Sequence, residues 1–157
     1  MTNSDRFIGL RDQLLRAPAD WEGARAEFRW PRFGEFNWVG DYFDVIAAGN
    51  GATALRMVDD AGADQSVSFA AMSARAAQVA AFLASQGVKR GDRLLLMLPN
   101  CTALWEVMLA AIRLGAVIIP ATTLLEREDL RDRIERGRVS AVVTEERLTA
   151  RFGGLPG

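Results

Sequence analysis

The sequence predicts an α/β fold: N-terminal helices, a β-hairpin, then a parallel βαβαβ unit that is an incomplete subdomain of something larger. Three observations carry this. Residues 93–98, 116–119 and 139–143 are short, almost wholly apolar runs, as expected of strands covered by helices on both faces. Stretches with helical periodicity alternate with them. The connections are short and marked by Gly or Pro, and that alternation builds a parallel sheet.

The elements follow in order. Residues 4–16 read as an amphipathic helix with Ser4 as N-cap and Phe7, Ile8, Arg11, Leu14 and Leu15 on one face; Pro18 marks its end. A second short helix is expected over 20–28, followed by an aromatic, turn-rich stretch from 29 to 38. Asn37 is placed to cap a third helix with Trp38, Tyr42 and Ile46 on one side, closed at Asn50-Gly51. Thr53–Val58 and Gln65–Phe69 flank a turn-rich connection and read as a hairpin. A helix over 70–85 carries Met72, Ala76, Val79 and Leu83 on one face, with Gly87 beyond its end. The strand 93–98 stops at Pro99. Residues 102–114 form a helix with charges only at Glu106 and Arg113, apolar on nearly all sides and so buried. Gly115 caps it, and the strand 116–119 stops at Pro120. Residues 126–136 form a charged surface helix with Leu130 and Ile134 inward and Gly137 as cap, and 139–143 is the last strand. The chain thus divides into a helical and aromatic segment (1–50), a partial α/β unit (51–147), and a Gly/Pro-rich linker or truncated end (148–157).

Composition bounds the chemistry. The chain has 157 residues, 19 basic and 20 acidic, for a formal charge of −1. That balance gives no electrostatic reason to expect nucleic acid or an anionic membrane. With one cysteine, Cys101, and no histidine, an internal disulfide and a Cys–His or Ser–His catalytic pair are excluded, and no Cys/His metal site is expected. The N-terminus lacks a basic region followed by an apolar run, and no stretch approaches the roughly 20 apolar residues that span a bilayer. A cytoplasmic protein is the expectation. No phosphate loop, dinucleotide fingerprint or nucleophile elbow occurs. The acidic pairs 59–60, 128–129 and 145–146 read as solvated, and Glu106 as a group at the wet edge of its helix. Cys101, near a helix start, reads as a small packing residue. The aromatic cluster Phe28, Trp30, Phe33, Phe36 and Trp38 reads as packing rather than as a stacking platform for nucleic acid.

Position supplies the remaining site argument. Open parallel sheets take ligands outside the carboxyl ends of their strands. Here those ends are 99–102 and 120–123, which offer Asn100, Thr102, Thr122 and Thr123. Thr102 also suits helix capping. Thr122 and Thr123 are the candidate substrate-binding residues; no catalytic, cofactor-binding or metal-ligating residue is identified.

The order of these pieces resembles the start of an adenylate-forming (AMP-binding) enzyme, of the superfamily of acyl-CoA synthetases, firefly luciferase and peptide-synthetase adenylation domains. The residues that carry it are VSFAAMSARAAQVAAFLASQGVKRGDRLLLMLPN and EVMLAAIRLGAVIIPATTLLEREDLRDRIERGRVSAVVT. PATTLL and FNWVGDYFD are similar to the medium-chain acyl-CoA synthetase branch. The resemblance runs from Phe36 to Thr144, about two-thirds of the chain. It implies a two-step ligase that uses ATP, CoA and Mg²⁺ on a small carboxylic acid, fatty or aromatic. It also implies a Ser/Thr/Gly-rich phosphate loop ending in Lys, a ribose-binding Asp and a mobile catalytic Lys, none of which has a counterpart here. Glu126 stands where a hydroxyl residue often begins the helix, which weakens that cap. The expectation is therefore an N-terminal fragment of an acid–CoA ligase, inactive alone, that binds none of these cofactors well. Self-association through an exposed sheet edge is expected too. The alternative is a complete small α/β interaction or dimerisation module without catalysis.

Overall fold

The computed structural model describes residues 1–16 and 21–155. Pro18 as a helix end and Asp20 as a helix start lie outside them. Helix α1 spans Asn3–Arg16, α2 Trp21–Glu27 and α3 Asp44–Ala47, with a wider π-helical turn, Trp38–Phe43, leading into α3. Strands β1 (Thr53–Val58) and β2 (Asp64–Ser68) pair antiparallel as the expected hairpin. Then follow α4 (Phe69–Ser85), β3 (Arg93–Met97), α5 (Thr102–Leu114), β4 (Val117–Pro120), α6 (Arg127–Gly137) and β5 (Ala141–Thr144), and a 3₁₀ segment over Glu146–Phe152. The parallel sheet has the order β4-β3-β5, so the first strand of the βαβαβ unit lies in its centre.

The two faces of β3 explain the layers. Leu94 and Leu96 pack on Val107 and Ala111 of α5, with Val79 of α4 against them. Leu95 and Met97 point the other way, into a cluster with Leu130 and Ile134 of α6 and Leu148 of the 3₁₀ segment. All four β3 residues are at most 2 % exposed, which is why the strand needs apolar side chains in both alternations. The segment 148–157, read as a linker or truncated end, is packed where it is described: Leu148 is buried, and Phe152 and Leu155 lie against the same cluster.

Several boundaries differ from expectation for local physical reasons. The cap of α1 is Thr2, not Ser4: its hydroxyl accepts the Asp5 N–H at 3.1 Å while the Asp5 carboxylate accepts the Thr2 N–H at 2.8 Å. No residue of α1 is fully buried, and its Leu15 is exposed; Phe7 holds the helix by stacking on Phe36 and tilting against Tyr42. Near α3 the buried residues are Val39, Phe43 and Ala47 rather than Trp38, Tyr42 and Ile46, because the π turn rotates the register. That helix ends at Gly49 with φ +65°, not at Gly51. Phe69 begins α4 instead of ending β2, since the Ser68 hydroxyl caps the helix by accepting the Ala71 N–H. In α6 the left-handed residue is Arg138 (φ +48°) and Gly137 is the last helical residue. A Cβ on Gly137 would meet Ile119 Cδ1 at 2.7 Å, so a larger residue there has to displace the end of that β4 side chain. Glu106 is not at a wet edge. It is buried between α4 and α5 and receives Arg75 Nε at 3.3 Å.

Asn37 is the main link between the N-terminal segment and the α/β unit. Its Oδ1 accepts the N–H groups of Val39 and Gly40, each at 3.1 Å, and so caps the π turn. Its Nδ2 donates to the carbonyls of Ile112 (2.8 Å) and Arg113 (3.1 Å) at the last turn of α5. One amide thereby satisfies orphan groups at two helix ends. Beside it Asp44 accepts both Arg113 Nη2 and the Ser73 hydroxyl, joining α3 to α5 and α4.

Both outer strands of the sheet have free edges among the described residues. On β4 the alternation that sends the Val117 and Ala121 N–H groups to β3 turns Pro120 outward, so its missing N–H blunts that edge. On β5 the Ser140 N–H donates to the Arg93 carbonyl, so the backbone N–H groups of Ala141 and Val143 point to the free edge, and Val142 between them is 39 % exposed. These are the edges that the expected self-association would use.

Candidate functional site

The parallel register brings three strand ends to one rim: Leu96 lies beside Pro120, and Met97 beside Thr144. Thr144 ties the rim together by donating its hydroxyl to the Met97 carbonyl at 3.1 Å. The loop after β3 leads into α5 on one face of the sheet, whereas the loops after β4 and β5 lead to α6 and the 3₁₀ segment on the other. Connections that part to opposite faces make the carboxyl rim the position where such sheets take ligands.

Each sequence-derived candidate is on or next to this rim. Asn100 is exposed in the bend after β3. Cys101, half-buried and not fully packed away, occupies the N-cap position of α5 without a side-chain bond, and Thr102 is the first helical residue rather than the cap. Thr122 is exposed and uses its hydroxyl to accept the Leu124 N–H at 3.3 Å. Thr123 is half-buried, and its hydroxyl makes no hydrogen bond among the described residues. The start of α6 does not suffer from Glu126 as expected, because Asp129 accepts the Glu126 N–H at 3.3 Å.

The residue that sequence reasoning missed is Arg151. Its guanidinium donates to the carbonyls of Thr123 (3.0 Å) and Leu125 (2.7 Å), and lies 3.5 Å from the Glu126 carboxylate. It therefore fixes the loop that carries Thr122 and Thr123. Only the +4, +3 spacing of Leu148, Phe152 and Leu155 signals that this segment folds back onto the sheet.

The rim has hydroxyls, an amide and helix-start N–H groups, but no acid–base pair. Among the described residues no three His, Cys, Asp or Glu side chains gather as a metal-ligand set, so these residues do not fit a Mg²⁺ site of their own. No described helix is long and apolar enough to cross a membrane.

This arrangement is an open parallel sheet within an α/β unit, with the candidate residues gathered along its carboxyl rim. Residues 43–154 match the family model described as AMP-binding enzyme. The chain belongs to that family, and it corresponds to the N-terminal part of an adenylate-forming enzyme. It is 31 % identical over 118 residues to the acyl–CoA ligase YtcI of Bacillus subtilis, covering 75 % of this chain and 22 % of that protein. It is 32 % identical over 127 residues to the human mitochondrial acyl-coenzyme A synthetase ACSM5, covering 76 % of this chain and 22 % of that one. An acyl-CoA synthetase structure from Brucella canis shares the fold with a TM-score of 0.71 at 22 % identity, over 89 % of this chain and 26 % of the other. The chain thus spans about a quarter of the length of the proteins it matches. Membership of this family does not favour the alternative of a stand-alone interaction module.

Proposed function

We propose that this chain is the scaffold wall of an ATP-dependent acid–CoA ligase. The observation that carries the reading is the family match over residues 43–154, centred on the rim-bearing unit. In the complete reaction a carboxylate oxygen attacks the α-phosphorus of ATP, which releases pyrophosphate and leaves an acyl-adenylate. The CoA thiolate then attacks the acyl carbon and releases AMP. Both steps depend on stabilising charge at phosphate and carbonyl oxygens. The groups that do so, including those for Mg²⁺, come from outside this chain. Its own residues shape the rim: Thr122 and Thr123 line the approach to the strand ends, and Arg151 and Thr144 hold that approach in place. The Thr123 hydroxyl, which makes no hydrogen bond among the described residues, is the group we assign to the carboxylic acid. A fatty or aromatic acid suits the relatives' chemistry, and a cytoplasmic location belongs to the same proposal, although the human relative is named as mitochondrial.

The test is acid-dependent ATP–pyrophosphate exchange in the longer ligase of which this chain is a part. Thr123→Val is expected to raise KM for the acid several-fold with little change in KM for ATP, the size of effect expected from losing one hydrogen bond of about 1 kcal/mol. Equal changes for both substrates, or none, would remove Thr123 from the site. A longer protein that activates no carboxylic acid would overturn the ligase reading itself.

A further inference from the structure

A second concave site lies away from the rim. It is a cavity of about 360 Å³ between the π turn, the hairpin, α4 and α5. Helix α5 separates it from the sheet: Val107 and Ala111 face β3, whereas Trp105 and Ile112 face the cavity. Every lining side chain is apolar, and Trp38, Phe43, Phe69, Met72, Trp105 and Met108 supply most of the wall. Phe43 and Met72 close the floor at 7 % and 3 % exposure, and Trp38 and Trp105 stand at the mouth at 38 % and 41 %. The rings are already arranged around one space: Trp38 stacks on Phe43 at 5.8 Å, and Phe43 tilts against Phe69 at 5.9 Å.

Two features separate this cavity from an ordinary gap in packing. Its volume falls within the roughly 300–1,000 Å³ of small-molecule sites. Two of its aromatic walls come from a π-helical turn, a strained geometry that recurs at functional sites. The chemistry of the lining selects the ligand. The hydrogen-bonding side-chain groups in the lining are only the indole N–H donors of Trp38 and Trp105 at the mouth, so a carboxylate or phosphate drawn inside would lose its hydration without replacement. Aromatic faces and edges, with thioether sulfurs beside them, favour a flat ring system.

We infer that this cavity binds an uncharged aromatic molecule of about two fused rings, at a site distinct from the carboxylic-acid site proposed at the rim. Its occupant does not undergo the ligase chemistry, so the inference stands or falls independently of that reading.

The probe is naphthalene, added to the 157-residue chain carrying ¹³C-methyl-labelled methionine. The methyl signals of Met72 and Met108 are expected to move upfield saturably, with half-saturation on the order of 100 µM for a ligand of this size. Met97, buried on the opposite face of the sheet, should stay still. The anion 2-naphthoate should bind at least about tenfold more weakly because its charge is not satisfied in this lining. Ala54→Phe fills the cavity from the hairpin and should abolish the Met72 shift; if it unfolds the chain, Met108→Trp fills the same space from α5 and leaves Met72 as reporter. The inference is overturned by a shift of all methionines together, by no saturable shift, by equal binding of 2-naphthoate, or by a shift that survives the filled cavity. It is also overturned if Met72 and Met108 move with protein concentration alone, for then the face serves a second copy of the chain.

Discussion

Leu130→Ala is expected to remove about 3–4 kcal/mol of stability, within the range for truncating a fully enclosed leucine. Leu130 is 0 % exposed and lies where α6, the β3 face bearing Leu95 and Met97, and Leu148 of the 3₁₀ segment meet. Most of these neighbours sit on the sheet or on a helix anchored to it, so the site cannot collapse fully onto the void. The loss is large beside the 5–15 kcal/mol of a typical domain. Urea unfolding should show a lower midpoint with an unchanged slope. Hydrogen exchange should show more. The amides of residues 146–152, held through Leu148 and Phe152, should lose protection well before those of the hairpin, which shares no contact with this cluster. Uniform loss of protection, or a cost below about 1 kcal/mol, would contradict the packing described.

Asn37→Ala is expected to cost about 2–4 kcal/mol, and Asn37→Asp more. The alanine variant loses the cap of the π turn, worth about 1 kcal/mol. It also leaves the Arg113 carbonyl at the end of α5 without its side-chain donor and takes one of two donors from the Ile112 carbonyl, which keeps the Gly115 N–H, a further 1–3 kcal/mol or so where water does not replace it. Aspartate keeps an acceptor for Val39 and Gly40, but it sets a carboxylate oxygen against those two carbonyls, and the negative end of the α5 dipole adds to the repulsion. The order wild type, alanine, aspartate in urea midpoint therefore identifies which half of the amide matters. An aspartate variant as stable as wild type would show that the bond to α5 contributes nothing. Trp38 fluorescence should report the same change, because Trp38 begins the turn that Asn37 caps.

What was legible in the sequence depended on how local its cause was. The all-apolar runs of β3 and β4 require cover on both faces, so the sheet and its flanking helices could be read directly. The cap at Thr2 was equally local, since Thr2 and Asp5 stand at capping-box spacing; Ser4 was the wrong choice between two hydroxyls two residues apart. Other features depend on distant partners. Gly137 packs closely against the end of Ile119 on another element, Glu106 is buried where Arg75 reaches it from α4, and Asn37 gains half of its role from α5, some 75 residues away. The rim candidates followed from the rule about strand ends. Arg151 did not, because glycines and prolines around it read as an end of structure although Leu148, Phe152 and Leu155 repeat at helical spacing. The phosphate loop ending in Lys, the ribose-binding Asp and the mobile Lys that the family resemblance implies have no counterpart in the sequence, and the expected inactivity of this chain rests on that.

The most direct test of that last point is ATP–pyrophosphate exchange by the pure 157-residue chain, with aliphatic and aromatic acids supplied in turn. Among the described residues no three His, Cys, Asp or Glu side chains gather as a ligand set for Mg²⁺, and the sequence carries no phosphate-loop motif, so exchange should equal the protein-free blank with every acid. Acid-dependent exchange above the blank, weakened by Thr123→Val, would show that the chain contains an adenylating site of its own and would contradict its role as a scaffold wall.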